Sequence, residues 1–108
     1  MLKIGRLVDI KLLENLRGKP CIICRTPGVA HHIKSVGARG DDALYNLMLL
    51  CNRHHVQVHT KGLTYMVVKY PVVNAWLKEN NWQYDSFMEK WIHLGPEGLE
   101  DENPSDDT

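Results

Sequence analysis

Apolar positions along the chain change their period several times, and each change predicts an element. Ile10, Leu13 and Leu16 fall at helical spacing behind Asp9, a residue suited to N-capping, and Gly18 can end the run. That predicts a short extended start followed by a helix. Val29 to Val36 is strand-like, Gly37, Gly40, Asp41 and Asp42 mark a loop, and Tyr45 to Leu50 brings the chain back. From Cys51 the chain reads as helical until Lys61-Gly62. Pro71 is placed to open a further helix to about Lys78, with Val73, Ala75, Trp76 and Leu77 on its apolar side and Asn80-Asn81 at its end. Asp85 reads as the cap of another short helix containing Phe87, Met88 and Trp91. The aromatics of residues 63–94 read as core filling. Gly95 to Thr108, with Pro96, Pro104 and six acids, reads as a disordered tail.

Length bounds this reading to one domain, since 108 residues enclose only a small interior. Domains of this size often draw stability from a bound metal. The net charge of zero hides a division. Residues 1–62 carry ten Lys or Arg against four acids, residues 63–96 balance, and the acidic tail restores neutrality. The first 62 residues are thus basic at +6, as a phosphate-binding surface would be. No stretch approaches the roughly 20 apolar residues of a membrane span, and the start lacks the apolar core of a secretory signal. A soluble, cytoplasmic protein is expected, with no membrane partner and no small organic cofactor.

The chemistry is concentrated in 39 residues, from Cys21 to His59. Three cysteines, two of them in Cys21-x2-Cys24, favour metal binding over disulfides. Cys21, Cys24, Cys51 and His54 have the thiolate-plus-imidazole composition of a four-coordinate structural zinc. His31, His32, Asn46, His55 and His59 are left over, and such a cluster can bind a second, exposed cation while one ring stays free as a base. His55 and His59 stand four apart, the spacing that puts two imidazoles on one helix face. His31 and His32, adjacent on a strand, must point to opposite faces or straddle a bulge, so their roles differ.

In kind and order these residues resemble the HNH endonucleases. The likeness covers roughly residues 20–62: Cys21-x2-Cys24, Ala30-His31-His32-Ile33, the Gly/Asp loop, Asn46-Leu47, Leu49-Leu50-Cys51 and His55-x3-His59. It is nearest in style to small zinc-stapled forms found in phages and prophages. The resemblance implies an α+β fold built on a ββα-metal core at 20–62, with an N-terminal extension at 1–19, a helical packing region at 63–94 and the tail at 95–108. It implies a metal-dependent DNA endonuclease in which His32 is the general base. His31 and His55 would ligate a catalytic divalent cation, whether Mg, Mn, Ni or Zn, and His59 would be a third ligand or a phosphate contact. Asn46 would hold the hairpin loop and orient the base. Lys34, Arg39, Arg53 and Lys61 are candidates for contacts to the DNA backbone. His54 stands where the family usually has a fourth cysteine, so His54 and His55 could exchange roles. The competing expectation is a non-catalytic zinc module that binds nucleic acid or a partner protein. A thiol redox protein is disfavoured because no helix-first redox context surrounds Cys21 and Cys24.

Overall fold

The computed structural model describes residues 6–95. It is an α+β protein of four helices and two antiparallel hairpins. Helix α1 (Ile10–Leu16) starts where the Asp9 carboxylate accepts the Leu12 N–H at 3.0 Å, satisfying a donor that the first turn leaves unpaired. Gly18, at φ +85°, then turns the chain at an angle that a side chain would strain. Residues 20–27 form a tight knuckle in which the Cys21 N–H reaches the Thr26 carbonyl and the Arg25 N–H the Cys21 carbonyl.

Strand β1 (Val29–His32) pairs with β2 (Leu47–Leu50), His31 opposite Met48 and His32 opposite Leu47. The knuckle is stitched to this hairpin by the Ile22 N–H donating to the Leu49 carbonyl. Gly28 passes so close that an added Cβ would stand 2.8 Å from the Leu50 carbonyl oxygen. Helix α2 (Asn52–Lys61) follows directly, ending at Gly62, φ +91°. Helices α3 (Leu63–Lys69) and α4 (Pro71–Glu79) and the hairpin of β3 (Trp82–Asp85) and β4 (Lys90–His93) complete the order.

Five of these elements contribute buried residues to one core. Met48 and Leu50 from β2, Val58 from α2, Met66 from α3, Val73 and Leu77 from α4 and Trp82 from β3 are buried together with Cys21 and Cys51. Each large apolar side chain so buried contributes about 1.5–3 kcal/mol. The Trp82 indole N–H donates to the Tyr45 carbonyl at 2.7 Å, fastening the second hairpin to the first. No described helix is long and apolar enough to cross a membrane.

Four expectations need correction. The strand expected over Val29–Val36 ends at His32, because the Asn46 side chain takes the Lys34 N–H and carbonyl that a longer ladder would use. The return expected from Tyr45 starts as a one-turn 3-10 helix, Leu44–Asn46. The short helix expected after Asp85 is a β-hairpin. Asp85 does accept the N–H groups of Phe87 and Met88, as a helix cap would, but Glu89 at φ +56° reverses the chain into β4. An Asp that caps a helix and one that closes a turn make the same local bonds. Phe87, expected among the core aromatics, is 92% exposed at that tip. The expected acidic tail lies, apart from Gly95, outside the described residues.

Candidate metal centres

The thiols of the knuckle and the N-terminal turn of α2 converge on one point. Cys24 Sγ lies 3.6 Å from Cys51 Sγ, and His54 Nδ1 lies 3.3 Å from Cys51 Sγ and 3.7 Å from Cys21 Sγ. A tetrahedral ion with metal–sulfur bonds of about 2.3 Å and metal–nitrogen bonds of about 2.0–2.1 Å has ligand edges of roughly 3.6–3.8 Å. The spacing thus fits the ion, and Cys21, Cys24, Cys51 and His54 form a group that can hold a metal such as zinc. Cys21, Cys51 and His54 are buried and Cys24 is half-buried, so most of the group is shielded from solvent.

The surroundings favour thiolates. Hydrogen bonds from the Thr26 hydroxyl and backbone lower the Cys24 pKa to about 7, and the His54 backbone N–H does most to lower that of Cys51. The Ile23 N–H also points at Cys21 Sγ, at 3.4 Å. Helix α2 begins at Cys51, so His54 is carried inward while His55, one residue on, emerges about 100° around the helix.

That rotation builds a second group. His31 from β1 meets His55 and His59 from α2, with ring centroids 5.0, 5.2 and 4.7 Å apart and edges turned toward faces. The Nε2 atoms of His55 and His59 approach to 3.2 Å, a spacing at which two imidazoles share a proton or a cation. One ligand atom from each ring lies within 4.8 Å of the others. Unlike the first group, this one is half-buried to exposed, which leaves coordination positions open to solvent. Burial, with smaller repulsion from His55, His59 and His32, lowers the His31 pKa to about 4. Burial and then His59 lower that of His55. Both rings are therefore neutral at pH 7, the form that ligates metal.

His32 is not part of this trio. Strand alternation sends it to a different partner, and its Nε2 donates to Asp42 Oδ1 at 2.8 Å. Asp42 is 1% exposed and also takes the Arg6 guanidinium on Oδ1 and the Asp9 N–H on Oδ2 at 2.9 Å. Burial would raise the Asp42 pKa, but the bonds from His32, Asp9 and Arg6 outweigh it and the net shift is downward. An ionised Asp42 fixes the Nε2–H tautomer of His32 and leaves Nδ1 as the basic nitrogen.

Asn46, fully buried, accepts the Lys34 N–H at 2.7 Å and donates to the carbonyls of Lys34 and Asp41. It thus ties both limbs of the loop between β1 and β2. The chain before α1 straps the same loop from outside. Arg6 Nε donates to the Gly40 carbonyl, the Leu7 N–H to Asp41 Oδ1 and the Asp42 N–H to the Leu7 carbonyl.

Lys34 and Arg39 line a groove beside β4, Arg53 lies in a hollow with His54 and Tyr70, and Lys61 sits over the Tyr65 ring at 5.8 Å. Sequence reasoning missed Asp42 and Arg6, which entered only as loop marker and as charge. The pair Asp41-Asp42 after Gly40 was the one available signal, and nothing local says that it faces a histidine ten residues earlier. Comparison of the chain with protein-family models, curated proteins and solved structures finds no match.

Proposed function

We propose that the protein is a metal-dependent DNA endonuclease of the HNH type, with a structural zinc at Cys21, Cys24, Cys51 and His54. The observation that carries this reading is the second ligand group. A zinc module that serves only its own folding has no use for three further imidazoles, half-buried to exposed and converging within 4.8 Å. β1, β2 and α2, in that order, then correspond to a ββα-metal core.

A divalent cation held by His31, His55 and His59 would supply Lewis acidity toward a phosphodiester. His32 is assigned as the base that takes a proton from water, at Nδ1, with Asp42 holding the ring by Nε2. Asn46 keeps the loop behind the base in shape. Arg53 and Lys61 on α2, and Lys34 and Arg39 after β1, offer charge to the flanking DNA backbone.

The test is cleavage of supercoiled and branched DNA by zinc-loaded protein across a series of divalent cations. Metal-dependent nicking or linearisation that is lost in His55→Ala and His32→Ala is expected. No cleavage with any cation would remove the reading. A second reading, a non-catalytic zinc module that binds nucleic acid or a partner, draws support from His32, whose ring is engaged with Asp42 outside the trio. DNA binding without turnover would favour it.

A further inference from the structure

Beside the end of β1 lies a groove of ≈ 640 Å³ that the metal chemistry does not use. This is within the range of small-ligand sites, about 300–1,000 Å³. Ile33 and Lys34, which line it, directly follow His32, and Leu63, also in its wall, follows the end of α2. The groove therefore adjoins both elements that carry the histidine trio. Its far wall is β4, which among the described residues pairs only with β3 and so has one edge without a described strand neighbour.

Two features define what would fit. The first is charge: Lys34, Arg39 and Lys90 surround the groove against one carboxylate, Asp41. Asp41 already accepts the Leu7 N–H at 2.7 Å and the Tyr45 hydroxyl at 2.5 Å. The second is aromatic surface. Tyr45 stacks on His93 with centroids 4.0 Å apart, Trp82 is buried below, and Trp91 is half-buried, its ring against Tyr84 at 5.4 Å and its indole N–H 3.3 Å from the Thr64 hydroxyl. Both His93 nitrogens are occupied, Nε2–H by the Asn80 carbonyl and Nδ1 by the Gly95 N–H, so this ring contributes surface and not charge. Cations for phosphate beside an accessible indole face are the means by which proteins hold an unpaired base and its backbone.

We propose that this groove binds an unpaired nucleotide of a DNA strand, its base against Trp91 and its phosphates on Lys34, Arg39 and Lys90. The proposal rests on the nuclease reading only for the source of the nucleotide. It makes single-stranded, flapped or branched DNA the substrate class, because a duplex offers no free base face.

The test measures binding without cleavage. Zinc-loaded protein, with no other divalent cation added, is titrated into fluorescein-labelled oligothymidylate and into a labelled duplex of equal length, and anisotropy is read over a salt series. Trp91→Leu should weaken single-strand binding at least about tenfold and duplex binding under about twofold, with Trp91→Phe recovering most of the loss. Lys90→Gln should flatten the single-strand salt slope by about 0.7. Thermal unfolding and zinc content of each variant confirm an intact fold. Equal losses on both DNAs, or none, would overturn the proposal. Tighter binding of thymidine monophosphate than of oligothymidylate would overturn the strand as its source. No saturable single-strand binding at low salt would overturn it outright and point to peptide pairing along β4. Because nothing here depends on turnover, an inactive protein that passes this test loses the nuclease reading and keeps the groove.

Discussion

Replacing Asp42 by Asn changes one atom in a buried side chain that accepts three hydrogen bonds. Oδ1 receives the Arg6 guanidinium and His32 Nε2–H, while Oδ2 receives the Asp9 N–H. An amide offers one acceptor where the carboxylate offers two. With its oxygen toward Arg6 and His32, its NH2 group must face the Asp9 N–H, donor against donor. That loses one bond worth about 1 kcal/mol, and it weakens two charge-assisted bonds by about 1 kcal/mol each. The total is about 3 kcal/mol, and at roughly 4–8 °C per kcal/mol the melting temperature should fall by about 12–24 °C. The loss should be constant from pH 8 down to about 5. The Asp42 pKa lies below its ordinary 3.8, so its contribution is complete above that value and is lost only as pH falls through the lowered pKa. Thermal unfolding by circular dichroism, with zinc content verified in each sample, measures this. A fall of less than about 4 °C would refute the reasoning, since the carboxylate would then not be holding the strap on the loop.

Other substitutions separate the two ligand groups and the loop they frame. Cys51→Ser should lose zinc and most of the folded state, since zinc binding of about 10–16 kcal/mol matches or exceeds the whole stability of a small domain, whereas His55→Ala should stay folded and zinc-loaded. Metal analysis with circular dichroism distinguishes them, and an unfolded, zinc-free His55→Ala would mean that His54 and His55 have exchanged roles. Gly40→Ala would put a Cβ 1.6 Å from the Lys34 carbonyl oxygen and 2.9 Å from Asn46 Nδ2, so the clasp on the loop should open. Faster hydrogen exchange at the Lys34 amide reports it, and an unchanged rate would contradict the close approach. In zinc-loaded protein without a second cation, the His31 ring should still be neutral at pH 5.5, titrating near 4 by NMR. Its pKa is lowered in the fold, so its share of stability is complete above pH 6.5 and drains away toward pH 4; a midpoint above 6 would contradict the burial.

The parts of this protein that were legible in its sequence are those where chemistry dictates spacing. Two thiols three apart can share an ion only in a tight turn, and two histidines four apart share a helix face, so Cys21-x2-Cys24 and His55-x3-His59 could be read off before any fold was known, whereas the choice of His31 over His32 rested on the family resemblance. Asp9 and Pro71 announced their helices because their side chains act within one turn. Helix α3 gave no such signal, since its cap is Gly62, which makes no side-chain bond. The second hairpin was misread because Asp85 bonds to the next two amides in either structure, and the pairing of Trp82 with His93 that decides the matter spans eleven residues. Asp42 was unreadable for a similar reason. Its three partners come from before α1 and from the end of β1, and only the folded loop assembles them.

The placement of His54 and His55 on consecutive positions of α2 has a thermodynamic corollary. The Cys3His group, together with Val58 in the core, fixes the azimuth of the helix, and that azimuth turns His55 and His59 toward His31. On the proposed reading, in which both groups take ions, occupancy of the buried group would raise the affinity of the exposed one, and by reciprocity an ion on the exposed trio would raise the affinity of the buried one. Loading would then be ordered, with the cysteine-bound ion first and last to leave. Mild chelation would empty the outer trio reversibly before the fold itself begins to give way.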